Sequence, residues 1–141
     1  MAHVRTYLNF ERSTEEAFTF YKSVFGTEFI GGIFRHGDVP GAELPDEDKQ
    51  LVMNVQLPIL GGHILMATDL PKSMGMELKQ GNNMQISLHP DTRAEADALH
   101  AALSAGGEPG TPMQEMFWGD YYGDLVDKFG VHWLINCDNP S

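Results

Sequence analysis

Cysteine is almost missing from this chain: Cys137 is the only one in 141 residues. One thiol closes no internal disulfide, and no cysteine cluster can hold zinc. Cys137 follows an apolar, strand-like run and reads as a structural thiol. Basic side chains are also scarce. Nine Lys and Arg stand against twenty Asp and Glu, a net charge of −11. Such a field repels phosphate backbones and anionic lipid surfaces, so neither nucleic acid nor a membrane is expected as a partner. A local basic pocket around Arg5, Arg12 or Arg35 stays possible. No apolar run reaches about 18 residues and no signal-peptide pattern is present, so a cytoplasmic location is expected. The six histidines (His3, His36, His63, His89, His100 and His132) form no HxH or HExxH pair. No P-loop and no G-x-S-x-G elbow occurs.

What is present suits one compact domain over residues 1–141, since a chain of about 150 residues removes roughly 70% of its unfolded surface from water. The segment "VRTYLNF" alternates as a strand, with Val4, Thr6, Leu8 and Phe10 on one side and Arg5, Tyr7 and Asn9 on the other. "STEEAFTFYKSVFG" reads as a helix. Ser13 and Glu16 have capping-box spacing, Ala17, Phe20, Tyr21 and Val24 make an apolar stripe widened by Phe18 and Phe25, and Gly26 suits the left-handed stop. "TEFIGGIFRH" is a strand broken by Gly31 and Gly32. "GDVPGAELPDEDKQ" is a loop and a candidate flap. "LVMNVQLPI" and "HILMATDL" are strands around a Gly-Gly turn, and "PKSMGMELKQGNN" is a link.

The second half repeats the order. "MQISLH" is a strand. "PDTRAEADALHAALSAGG" is a helix capped by Asp91 or Thr92, with Ala98, Leu99, Ala102 and Leu103 inward, His100 outward, and Gly106 or Gly107 at its stop. Strands are expected near 108–113, 119–126 and 131–137. The class is therefore α+β: two βαβββ modules, about 1–72 and about 81–138, divided near 70–81.

Three blocks carry a family likeness: "YLNFERSTEEAFTFYKSVFG", "GGHILMATD" and "FWGDYYGDLVDKFGVHWLIN". With them the chain resembles the PhnB-like branch of the glyoxalase/bleomycin resistance/extradiol dioxygenase superfamily, also called vicinal oxygen chelate. The resemblance implies paired βαβββ modules around an open barrel-like cleft, and a homodimer. Metal-using relatives place a His, Gln or Glu ligand on the first and last strand of each module. The matching positions here are Thr6, Leu65 or Met66, Asn83 or Gln85, and Trp133 or Leu134, which supply no strong ligand set. Some relatives carry a methyltransferase name, yet the Gly-Gly at 61–62 sits between two strands and that at 106–107 ends a helix, so neither lies between a strand and a helix, where a nucleotide-type cofactor would need it.

The chemistry-bearing residues concentrate in the last block. His63 and His132 each open the last strand of a module, either at a cleft or at solvent. Among the carboxylates Asp69, Glu115, Asp120, Asp124 and Asp127, the first ends a strand, Asp127 caps the turn before "KFG", and Glu115 is the favoured polar cleft residue. Tyr121 and Tyr122 are adjacent and face opposite sides of a strand, so one of them enters the cleft. Trp118 has an N–H that needs a partner if buried, and Trp133 reads as core. Met66, Met74, Met76, Met84, Met113 and Met116 suit core filling or an adaptable pocket. The expected ligand wall is Glu115, Trp118 and Tyr121 or Tyr122, faced by His63 and by Asn9 or Tyr7. No metal or cofactor is expected, and no catalytic residue stands out. The expected function is metal-free binding or sequestration of a small molecule. The alternative is a metal-dependent lyase, isomerase or dioxygenase acting on a small oxygen-rich metabolite, and a purely structural dimer is a third class.

Overall fold

The structure, a computed structural model, describes all 141 residues. It divides into two compact units, Met1–Lys79 and Gln80–Ser141. No helix is long and apolar enough to cross a membrane.

The first unit contains β1 (Thr6–Phe10), α1 (Thr14–Phe25), β2 (Phe34–Arg35), α2 (Asp46–Lys49), β3 (Val52–Pro58) and β4 (Ile64–Asp69). Its sheet runs β1-β4-β3-β2, with β1 parallel to β4 and the other pairs antiparallel. The register aligns Leu8 with Ala67 and Phe10 with Asp69 on the face that α1 covers. The buried stripe of α1 is Thr14, Ala17, Phe18 and Tyr21. Phe20 and Val24, expected inside, are only half-buried, because Phe18 takes the inward position and meets Tyr21 edge-on at 5.5 Å. Burial of an aromatic of this size stabilises by about 1.5–3 kcal/mol. Gly26 ends the helix at φ 67°, and its N–H donates to the Lys22 carbonyl.

The expected capping box does not form. Ser13 makes no side-chain cap, and the N-terminus of α1 is held from β4 instead. Asp69 Oδ1 accepts from the Thr14 N–H (3.1 Å) and hydroxyl (2.8 Å), while Oδ2 accepts from the Val52 N–H (2.8 Å). Only a carboxylate at the end of the neighbouring strand can satisfy a helix end and a strand start together.

The acid- and proline-rich segment after β2 is tied down. His36 is buried and donates from Nε2 to the Asp69 carbonyl at 3.0 Å. Asp48 on α2 is buried, accepting from Arg12 at 2.7 Å and from the Ser73 hydroxyl. The Ser73 and Arg12 donors hold the Asp48 carboxyl below the usual aspartate range. Stability from a lowered pKa is complete above the unfolded value and fades as pH falls through it toward the folded one. Asp48→Asn should therefore melt lower than the parent near neutral pH, and the gap should close in strong acid. A gap that does not depend on pH would show that Asp48 acts by packing alone.

The second unit contains β5 (Ile86–Leu88), α3 (Arg93–Ser104), β6 (Gln114–Glu115), β7 (Tyr121–Val126) and β8 (His132–Cys137), in the sheet order β5-β8-β7-β6. Thr92 caps α3 by accepting from the Glu95 N–H. The strand expected at 108–113 is reduced to one bridge, Glu108 with Val126, and pairing resumes at β6. Pro109 and Pro112 have no N–H to give a ladder, which explains the gap. His100 was expected on the outer face and is instead buried. Its Nε2 donates toward the Thr111 and Asp124 carbonyls, at 3.2 and 2.9 Å, beside that interrupted pairing. The inner face of α3 is accordingly Ala96, Leu99, His100 and Leu103; Ala98 is exposed. Trp133 is wholly buried, and its indole N–H donates to Asp127 at 2.9 Å.

Candidate functional site

Each sheet has one face under a helix and one face away from it, and the strand register decides which side chains share the open face. In the first unit, Tyr7 is aligned with Met66 and Asn9 with Thr68, while Gln56 is aligned with Met66 from the other side. Tyr7 and Asn9 therefore stand together, exposed, on the open face. Arg5 reaches the same area and donates to Gln56 at 3.0 Å. His63 does not join them. Its Nε2 lies 2.9 Å from Thr6 Oγ1, on the side of the sheet to which Leu8 and Phe10 point.

In the second unit the expected wall separates into two groups. Glu115 is aligned with Tyr121, and both lie against α3. Arg93 donates to Glu115 at 3.0 Å and its guanidinium sits over the Tyr121 ring at 4.9 Å. The Tyr121 hydroxyl donates to Asp97 at 2.7 Å, and that bond, followed by desolvation, raises its pKa. This group is a structural latch between strand and helix.

Trp118 and Tyr122 form the other group. The turn 116–120 closes through Met116 N–H to the Asp120 carbonyl and Gly119 N–H to the Met116 carbonyl, and so presents Phe117 and Trp118 outward. Phe117 is 96% exposed and Trp118 50% exposed. Phe117 packs edge-on to Trp118 at 4.8 Å, and Trp118 meets Tyr122 at 6.5 Å, also edge-on. The Tyr122 hydroxyl donates to Asp124 Oδ2 at 2.9 Å, and Asp124 Oδ1 accepts from the Thr111 N–H at 2.8 Å. Desolvation and then the Asp124 bond push the Tyr122 phenol up, so it stays neutral. Gly110, at φ 56°, runs so close to Asp124 Oδ1 that a Cβ there would collide with it. Asn136, aligned with Tyr122, donates to Asp120 Oδ2 at 3.0 Å. Asp120, Asp124 and Asn136 thus belong to this face. Their shared parity with Tyr122 along β7, and across to β8, is the signal that reveals them.

The methionines are not core filler. Met74, Met76 and Met84 are exposed, and Met66, Met113 and Met116 are half-buried. Of the positions that correspond to metal ligands, Thr6, Leu65 and Trp133 point to the helix side, and Met66 and Leu134 occupy the open faces. No three His, Cys, Asp or Glu side chains are gathered as a metal would need. These residues do not fit a divalent cation.

Residues 2–136 match the model of the 3-demethylubiquinone-9 3-methyltransferase family. The chain belongs to this PhnB-like family. Protein PA1353 from Pseudomonas aeruginosa is 32% identical, with 98% of both chains covered and a TM-score of 0.85. A PhnB protein from Bacillus cereus is 25% identical over 96% of this chain and 99% of its own, with a TM-score of 0.75. YjdN of Escherichia coli is 25% identical over 92% of this chain and 91% of that protein. A glyoxalase/bleomycin resistance protein/dioxygenase family enzyme from Burkholderia phytofirmans, 19% identical with a TM-score of 0.64 over 95% of this chain and 98% of that one, shares the fold. The PhnB-like chain thus has the glyoxalase/bleomycin resistance fold. The methyltransferase in the family's name would call for a nucleotide-type methyl donor. The strand-to-helix turns at 11–13 and 89–92 contain no glycine, Asp69 already takes the first amide of α1, and Thr92 caps α3. The PhnB-like chain therefore lacks the loop that cradles such a group.

Proposed function

We propose that this PhnB-like protein binds or sequesters a small molecule without a metal, using the open sheet faces. The observation that carries the reading is the Trp118–Tyr122 pair, half-exposed and flanked by polar groups already held in place. A flat apolar surface with a few fixed polar groups is how small-molecule sites orient their ligands. Tyr7 and Asn9 give the first unit a comparable, smaller patch. The reading includes a homodimer, on the strength of the resemblance; light scattering at micromolar concentration should give twice the chain mass, and a monomer mass would remove that part.

A small-metabolite screen read by tryptophan fluorescence tests the function. A ligand should quench Trp118, and Trp118→Phe should abolish the response while buried Trp133 keeps its signal. Glu115→Gln should leave binding unchanged, because Glu115 serves the Arg93 latch. Ligand responses that survive both Trp118→Phe and Tyr122→Ala would defeat the assignment. A divalent metal retained stoichiometrically through purification would favour the metal-assisted lyase, isomerase or dioxygenase instead.

A further inference from the structure

We infer that the Trp118–Tyr122 face takes a cation, specifically a methylated or quaternary ammonium with an apolar body. This deepens the proposed function and rests on that face being the binding surface. Asp120, just before β7, shares its parity with Tyr122 and Asp124 inside the strand, so the half-buried Tyr122 ring, with Trp118 against it, lies between two carboxylates on the open face. Neither carboxylate is ion-paired with any lysine or arginine, although six other acidic side chains are. The nearest cations of the unit are committed elsewhere. Arg93 is bound to Glu115, to the Gly119 and Asn139 carbonyls and to the Tyr121 ring, and Lys128 lies over Phe129. The face thus carries two carboxylates that no lysine or arginine pairs, in a chain whose net charge is −11.

The hydrogen-bond pattern narrows the chemistry. Both Asp124 oxygens already accept, from Thr111 N–H and from the Tyr122 hydroxyl, and one Asp120 oxygen accepts from Asn136. The carboxylates therefore offer field more than free acceptors. That environment suits a cation with few or no N–H donors, whose diffuse charge rests on methyl groups. The faces of Trp and Tyr carry the negative quadrupole that attracts such a group. An anion would meet two carboxylates, and a neutral ligand would gain nothing from them.

Choline and its uncharged carbon analogue 3,3-dimethylbutan-1-ol have nearly the same shape, and benzoate supplies an anionic aromatic control. Titrated calorimetrically into the full chain at low salt, choline should bind about tenfold tighter than the neutral analogue. Asp120→Asn should shrink that preference without removing binding of the neutral analogue. Trp118→Ala should remove both, and because Trp118 is half-exposed the variant keeps its fold, which circular dichroism checks. Equal binding of choline and the neutral analogue, both lost in Trp118→Ala, overturns the cation inference and leaves the binding reading standing. Tighter binding of benzoate than of choline overturns it as well. Absence of choline binding at millimolar concentration also overturns it, and the metabolite screen then decides the broader reading separately.

Discussion

Replacing Asp69 with alanine should destabilise the protein by about 3–5 kcal/mol, a large share of the roughly 5–15 kcal/mol that holds a domain folded. The side chain is 2% exposed and accepts three hydrogen bonds: two from Thr14, at the start of α1, and one from Val52, at the start of β3. Removing it strands those donors away from water, each at about 1–3 kcal/mol before relaxation. Asp69→Asn keeps one carbonyl acceptor and should do about half the damage. Urea unfolding followed by circular dichroism measures both. An alanine variant within about 1 kcal/mol of the parent would mean that water or a neighbouring side chain replaces the carboxylate.

Trp133→Ala should be comparably severe, about 3–5 kcal/mol, because the largest fully buried side chain leaves a cavity in the second unit. Trp133→Phe separates two contributions. It keeps most of the volume and removes the indole N–H from Asp127, which also accepts from the Phe129 and Val131 amides. The loss should be about 1–3 kcal/mol. A double-mutant cycle with Asp127→Asn should show a coupling of about 1 kcal/mol, and strict additivity would show that the indole bond contributes nothing.

The local elements were legible in the sequence because each rests on neighbours within a few residues. The apolar spacing of α1, the Gly26 stop and the alternation of β1 and β7 all follow from short-range pattern. Asp69 was visible as a strand end and invisible as a helix cap, because Thr14 lies 55 residues away. Ser13 and Glu16 had capping spacing, but a tertiary partner took their place. His100 could not be placed by periodicity, since the reason for its burial is a pair of carbonyls left beside a proline-broken strand. At the candidate site, adjacency already implied that Tyr121 and Tyr122 face apart. Choosing between them needed the register, which pairs Tyr121 with buried Cys137 and Tyr122 with Asn136. Glu115 follows Tyr121 to the helix side through its β6 pairing, whereas Trp118, only three residues on, is carried outward by the turn 116–120.

The parallel pairing of β1 with β4 also sets an order of assembly. β3 and β4 meet across a Gly-Gly turn and can zip together at once, whereas Thr6 must find a strand whose entry, at His63, lies 57 residues along the chain. Loop-closure entropy must be met before that parallel contact contributes anything. β1 has β4 as its one neighbour in the sheet, so it has no strand to pair with until β4 is in place and Asp69 can anchor α1. Folding kinetics should therefore show substitutions in the β3–β4 hairpin slowing folding, and substitutions at Leu8 or Phe10 mainly speeding unfolding.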